Sequence, residues 1–150
     1  MLFIVNVEAA IYKGDKWLFI KRSELEEHAA GELSLVGGKV DKEGTKENIL
    51  EATIRREVWE EVGVELQSTL HYVHSTSFIA DDGTHVVDIV FLAEYKSGEA
   101  HAKSVEEVGA VYWLPAEDIL NDEKAPDYFK DSIKRAVELK VSLSNVVIES

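Results

Sequence analysis

Residues 56–64 read REVWEEVGV and place three glutamates, Glu57, Glu60 and Glu61, behind Arg56 and ahead of Gly63. On a helix advancing about 100° per residue, Glu60 and Glu61 fall at roughly 300° and 40° from Glu57, so the three carboxylates share one arc. Leu50, Ile54, Val58 and Val62 form an apolar row that adjoins this arc instead of opposing it. Like charges one turn apart destabilise a helix by a few tenths of a kcal/mol per pair, and partial desolvation at a core edge worsens the repulsion. A divalent cation offsets that cost. Carboxylate oxygens are hard donors suited to Mg²⁺ or Mn²⁺, which bridge protein carboxylates to substrate phosphates. The competing reading is a solvated helix face whose charges pair with Arg56 and nearby lysines.

The surrounding pattern supplies the elements that must position these groups. Segments 2–12 and 17–22 read as strands joined by KGDK in a hairpin, followed by a polar connection over 23–33. LSLVGGKV at 33–40 is a short strand running into a glycine pair, and 45–62 is a helix stopped by Gly63. Two strands at 69–80 and 85–96 flank a DDG turn. GAVYWLP at 109–115 is another strand, Pro115 opens a short helix through Leu120, and 126–140 is an amphipathic closing helix. Strands, helix, strands, helix is an α+β order, not the strict βαβ alternation of a dinucleotide-binding sheet.

Composition bounds the function. A chain of 150 residues, 45% hydrophobic and 30% charged, suits one domain over residues 1–150. No apolar run reaches the ~20 residues of a membrane-spanning helix, and the N-terminus lacks the basic region of a signal peptide. With no cysteine there is no disulfide or thiol chemistry, which is compatible with a cytoplasmic protein. A net charge of −13 leaves no basic surplus for duplex nucleic acid, although a small polyphosphate can be held through bridging cations.

The span GGKVDKEGTKENILEATIRREVWEEVGV resembles the signature of the Nudix hydrolases, Gx₅Ex₇REUxEExGU, where U is a bulky aliphatic residue. Arg56, Glu57, Val58, Glu60, Glu61, Gly63 and Val64 match its second half at every defined position, and Gly38 matches its opening glycine. Arg56 follows Gly38 by 18 residues where the signature has 14. Asn48 stands where the signature has its first glutamate, with Glu47 beside it and about 100° away on a helix, and Val36 replaces the usual proline. The resemblance covers residues 3–140. It implies a Nudix-type α/β/α sandwich with a mixed central sheet. Glu57, Glu60 and Glu61 would ligate one to three Mg²⁺ (or Mn²⁺) ions together with the Gly37 carbonyl, Arg56 would orient the glutamates, and Glu106 or Glu107 would add a carboxylate. Arg22, Gly37, Gly38 and Lys39 are the substrate-side candidates.

The implied reaction is hydrolysis of the pyrophosphate bond of a nucleoside diphosphate linked to another group, with Glu57 or Glu61 as general base. Two substrate types fit: an oxidised nucleoside triphosphate, or ADP-ribose and nucleotide sugars. The alternatives are a non-catalytic Nudix-like nucleotide sensor, for which Asn48 and the longer loop speak, and an acidic protein-interaction module. The expected state is a monomer or homodimer. His71 and His74, three apart in a predicted strand, would face opposite sides of the sheet and so share no zinc. His28 and the tryptophans Trp17, Trp59 and Trp113 read as surface and packing residues, Trp59 covering the sheet or a dimer contact.

Overall fold

The computed structural model describes residues 1–26, 29–42 and 46–149, with side chains described as far as residue 146. The readings on His28 fall outside these residues. β1 (Phe3–Lys13) and β2 (Lys16–Arg22) form the expected hairpin. Then come β3 (Leu33–Ser34), β4 (Val36–Lys39), α1 (Ile49–Val62), β5 (Glu65–Leu66), β6 (His71–Ile79), β7 (His85–Ser97), β8 (Val108–Leu114), α2 (Ala116–Leu120) and α3 (Asp127–Glu149).

β1 is the centre of the sheet. It runs parallel to β7 from Phe3↔His85 to Tyr12↔Glu94, and antiparallel to β4 through Asn6↔Lys39 and Glu8↔Gly37. β2 leaves β1 after the hairpin and pairs with β3 and β8, while β7 carries β5 and β6 on its other side. The sheet is therefore mixed, and the period-two alternation of β1 divides its side chains between two cores. Val7, Ala9 and Ile11 pack with Ile54, Val58 and Val62 of α1. Ala10 packs with Phe129, Ile133 and Ala136 of α3 and Ile119 of α2. The result is the α/β/α sandwich.

Three local expectations are corrected and one short strand is added. The 45–62 helix begins only at Ile49, because Asn48 takes a left-handed conformation (φ 55) at the cap, which asparagine tolerates better than most residues. The helical angles assigned to Glu47 and Asn48 therefore do not apply. The closing helix runs on past residue 140 to Glu149, since no glycine or proline stops it. β5, two residues long, was below the length at which alternation is visible. Finally, the β6 register shifts between Tyr72 and His74, so that His71 lies opposite Leu92 and His74 opposite Val90. A bulge of one residue returns both histidines to the same face.

The glycine pair is required by packing. A Cβ on Gly37 would strike the Val7 carbonyl oxygen, and one on Gly38 would strike the Glu57 carboxyl group, whereas a Cβ on Gly109 would have only ordinary contacts, its nearest neighbour being Lys21 O at 3.5 Å. Overpacking against a backbone that cannot yield costs about 1–3 kcal/mol. Gly37→Ala is expected to lose about 3 kcal/mol in urea unfolding and Gly109→Ala well under 1 kcal/mol. Equal losses would show that the close approach of β4 to β1 is not required.

Candidate active site

Helix α1 carries Glu57 and Glu61 one turn apart on the side that faces β4 and the turn before β8. Glu61 is buried, with 7% of its surface exposed. Glu57 is half-buried, its carboxyl group seated over Gly38 in the space a side chain there would fill. Glu107 comes from the turn before β8. Its amide donates to Ser104 O at 3.1 Å and its carbonyl accepts from the Ser23 amide at 3.0 Å. Glu57, Glu61 and Glu107 each offer a carboxylate oxygen, and these oxygens lie within 4.8 Å of one another. Between the two adjacent residues left open by the sequence, geometry brings in Glu107. Glu106 and Glu60 are exposed and lie outside this group among the described residues.

Arg56 Nη2 donates to Glu57 Oε1 at 3.2 Å and to Lys39 O at 3.3 Å, tying the end of β4 to the helix. Its neighbour Arg55, which sequence reading passed over, donates to Leu66 O, Gln67 O and Ser68 O and fastens the chain leaving α1. Lys39 is exposed at the end of β4. Arg22 ends β2, with Nη2 3.5 Å from Glu26 Oε2.

The electrostatics follow from burial. Removal from water pushes the Glu61 carboxyl up to about 9; the charges of Glu107 and Glu57 and a hydrogen bond with Glu107 add to this, and the Gly37 amide opposes it. Glu57 is also raised, mainly by burial, with Arg56 opposing and Glu60 and Glu107 adding. One Glu61 oxygen, Oε2, is buried with no hydrogen-bond partner among the described residues. A buried, unpartnered acceptor beside two further carboxylates is what a hard divalent cation requires, so these residues fit Mg²⁺ or Mn²⁺.

A second polar group lies on the face of β1 turned away from α1. Asn6 Nδ2 donates to Asp88 Oδ1 at 2.7 Å across the β1–β7 pair. Glu8, on the same face of β1, is held well above the usual carboxylate range by burial and by its hydrogen bond to Asp88; the Arg22 charge opposes this and Glu61 adds to it. Tyr128, at the start of α3, lies within the field of Glu32, Glu8, Arg22 and Asp88. Sequence reading missed this group, yet a signal was present: Asn6 and Glu8 interrupt an otherwise apolar strand at a spacing of two.

A family model for the NUDIX domain matches residues 2–134. Among solved structures the chain is similar to the MutT NUDIX hydrolase from Burkholderia pseudomallei, with 26% identity and a TM-score of 0.74 over 90% of this chain and 98% of that one. It is similar to the MutT protein from Methanosarcina mazei Go1, with 28% identity and a TM-score of 0.74 over 92% and 95%. The NUDIX domain of Shewanella oneidensis NrtR, in complex with ADP ribose, shares the fold at 23% identity and a TM-score of 0.72 over 92% and 88%. No curated protein matches the chain. A helix of glutamates laid over a glycine pair on a mixed sheet defines the Nudix class of hydrolase. The chain belongs to the Nudix family and is a pyrophosphohydrolase of that class, acting in general terms on nucleoside diphosphates linked to another group.

The raised Glu61 gives a pH dependence. The folded state holds a proton that the unfolded chain, with an ordinary glutamate near 4.5, releases, so this group's contribution to stability falls as pH rises from about 4.5 to about 9. In metal-free buffer Glu61→Gln is expected to melt about 5 °C or more above wild type at pH 8, the gap closing toward pH 5. Parallel melting curves across that range would contradict the buried placement of Glu61.

Proposed function

We propose that this chain uses Mg²⁺ or Mn²⁺ held by Glu57, Glu61 and Glu107 to hydrolyse the pyrophosphate bond of a small nucleotide. The observation that carries the reading is that Glu57, Glu61 and Glu107 bring carboxylate oxygens within 4.8 Å of one another while the buried Glu61 Oε2 has no hydrogen-bond partner among the described residues. The Gly37 carbonyl and Glu60 are further candidate ligands from the signature. When bound, the cation supplies charge neutralisation at the phosphoanhydride and at the leaving group.

The chain's own residues do the rest. Arg56 holds Glu57 and the end of β4 in fixed relation. Gly37 and Gly38 seat β4 against β1 and under the Glu57 carboxyl group and are the backbone candidates for the phosphate side of the site, with Arg22 and Lys39 as its cationic side chains. The group of Asn6, Glu8, Asp88 and Tyr128 offers hydrogen-bonding partners for the nucleoside end. Glu57 or Glu61 takes the proton from the attacking water as the water oxygen bonds to phosphorus and the bridging P–O bond breaks. The products are a nucleoside monophosphate and phosphorylated leaving group.

Two substrate types remain within the proposal: an oxidised nucleoside triphosphate, and ADP-ribose or a nucleotide sugar. ADP ribose is bound by the NrtR domain, which shares this fold. A cytoplasmic setting and a monomeric or homodimeric state complete the reading. A nucleotide sensor without turnover is the second reading, favoured by Asn48 at the signature's first glutamate, and product detection separates the two.

Turnover of at least one nucleoside diphosphate derivative is expected only with Mg²⁺ or Mn²⁺ present, and full activity in excess EDTA would overturn the metal mechanism. Glu57→Gln and Glu61→Gln are each expected to lower kcat by on the order of a hundredfold or more. Asn48→Ala, which removes a neutral side chain that makes no cap hydrogen bond and leaves alanine in the left-handed region, is expected to cost about tenfold or less in kcat/KM. An Asn48→Ala loss as deep as that of Glu57→Gln would place Asn48, or the loop glutamates Glu43 and Glu47, in the machinery.

A further inference from the structure

The chain between β7 and β8 is fastened to the end of α1 by its backbone. An α-helix leaves its last carbonyls without intrahelical partners. Here the Glu61 carbonyl accepts from the amides of Lys103 at 3.0 Å and Ser104 at 3.3 Å, and the Val62 carbonyl accepts from the His101 amide at 3.1 Å. Immediately afterwards the chain closes one turn, with the amides of Glu107 and Val108 donating to Ser104 O at 3.1 and 2.8 Å. Ser104 Oγ also reaches Glu107 Oε2 at 3.4 Å. The backbone that carries Glu107 is thus anchored on the carbonyl of Glu61, the residue whose side chain Glu107 faces.

A side-chain contact clasps the same point. Lys103 Nζ lies 3.9 Å from the centroid of the Trp59 ring, one turn before the end of α1. Trp59 is 47% exposed although it stands between Val58 and the glutamates. With Lys103 it walls a cavity of about 570 Å³ that is also lined by Gly63, Gly98, Glu99 and His101. The His101 ring packs against Gly63, where a Cβ would come within 2.7 Å of Cε1, and its Nδ1 pairs with Glu99 O at 2.7 Å. Shielding of apolar surface would account for the ring contact alone. It does not account for Lys103 being the same residue whose amide binds the Glu61 carbonyl.

We infer that Lys103, held on the Trp59 ring, is a positioning residue that sets Glu107 against Glu61 and so fixes the spacing of the carboxylate triad. This rests on the reading of that triad as a cation site. The sign of the effect separates the inference from simple electrostatics. Removing a positive charge near a cation site tightens cation binding by Coulomb's law alone, whereas loss of the clasp loosens Glu107 and weakens binding.

The test is calorimetric titration of the full chain with Mn²⁺, without substrate, for wild type, Lys103→Met, Lys103→Arg, Glu107→Gln and the Lys103→Met/Glu107→Gln pair. Lys103→Met is expected to raise the Mn²⁺ Kd about tenfold, in the range for residues that orient metal ligands. Lys103→Arg, which keeps a cation on the ring, is expected to restore binding to near wild type. The double variant is expected to bind no more weakly than Glu107→Gln alone, because Lys103 acts through Glu107. Unchanged or tighter binding in Lys103→Met overturns the inference, as do losses that simply add in the double variant. Glu57→Gln serves as the control for the underlying site. Wild-type Mn²⁺ binding in that variant would overturn the cation reading itself, a result distinct from failure of the clasp.

Discussion

The structure turns on the burial of one carboxyl group. Glu61 is taken out of water at the edge of a hydrophobic core and faces two further carboxylates, with one oxygen left without a partner among the described residues. Such an arrangement is unfavourable in the metal-free chain: like charges in a poorly solvated site repel, and the group responds by holding its proton far above the usual range. A hard divalent cation held by these carboxylates would reverse each of these terms at once. The strain is local, and the core on the α1 side of the sheet tolerates it because it buries Ile54, Val58 and Val62 on the same helix.

The other features of the site serve that helix's placement. In β4, Gly37 permits the close approach to β1 and Gly38 lets Glu57 lie directly on the strand, and Arg56 spans from that strand's last carbonyl to the Glu57 carboxylate. Arg55, one residue earlier, secures the opposite side by three carbonyls of the following segment. Two adjacent arginines therefore fix α1 on both sides, one toward the end of β4 and one toward the segment that follows the helix. The parallel pairing of β1 with β7 then groups Asn6, Glu8 and Asp88 on the face of β1 turned away from α1, with Glu8 within the field of Glu61.

What could be read from the sequence was what depends on local spacing. The placement of Glu57 and Glu61 on one side of a helix and the stop at Gly63 were legible because helix periodicity and a left-handed stop act over a few residues, and the mixed α+β order followed from alternation and turn residues. The choice between Glu106 and Glu107 was not legible, since it depends on how the turn at Ser104 docks on a helix some forty residues earlier. The start of α1 was misread because the backbone at Asn48 turns left-handed where the side-chain pattern alone permits a helix. The faces of His71 and His74 were misread for a related reason: a bulge changes the count of residues without changing their character. Glu8 was overlooked although its position was visible, because a charge in a strand becomes informative only when its neighbour across the sheet, Asp88, is known.

The central claim is that Glu61 is buried in order to hold a cation. Its most direct measurement is the enthalpy of Mn²⁺ binding to the substrate-free chain, compared with Glu61→Gln under the same conditions. Saturable binding in wild type that is lost in Glu61→Gln, with the variant still folded, is the predicted result. Equal binding in the two proteins would contradict it.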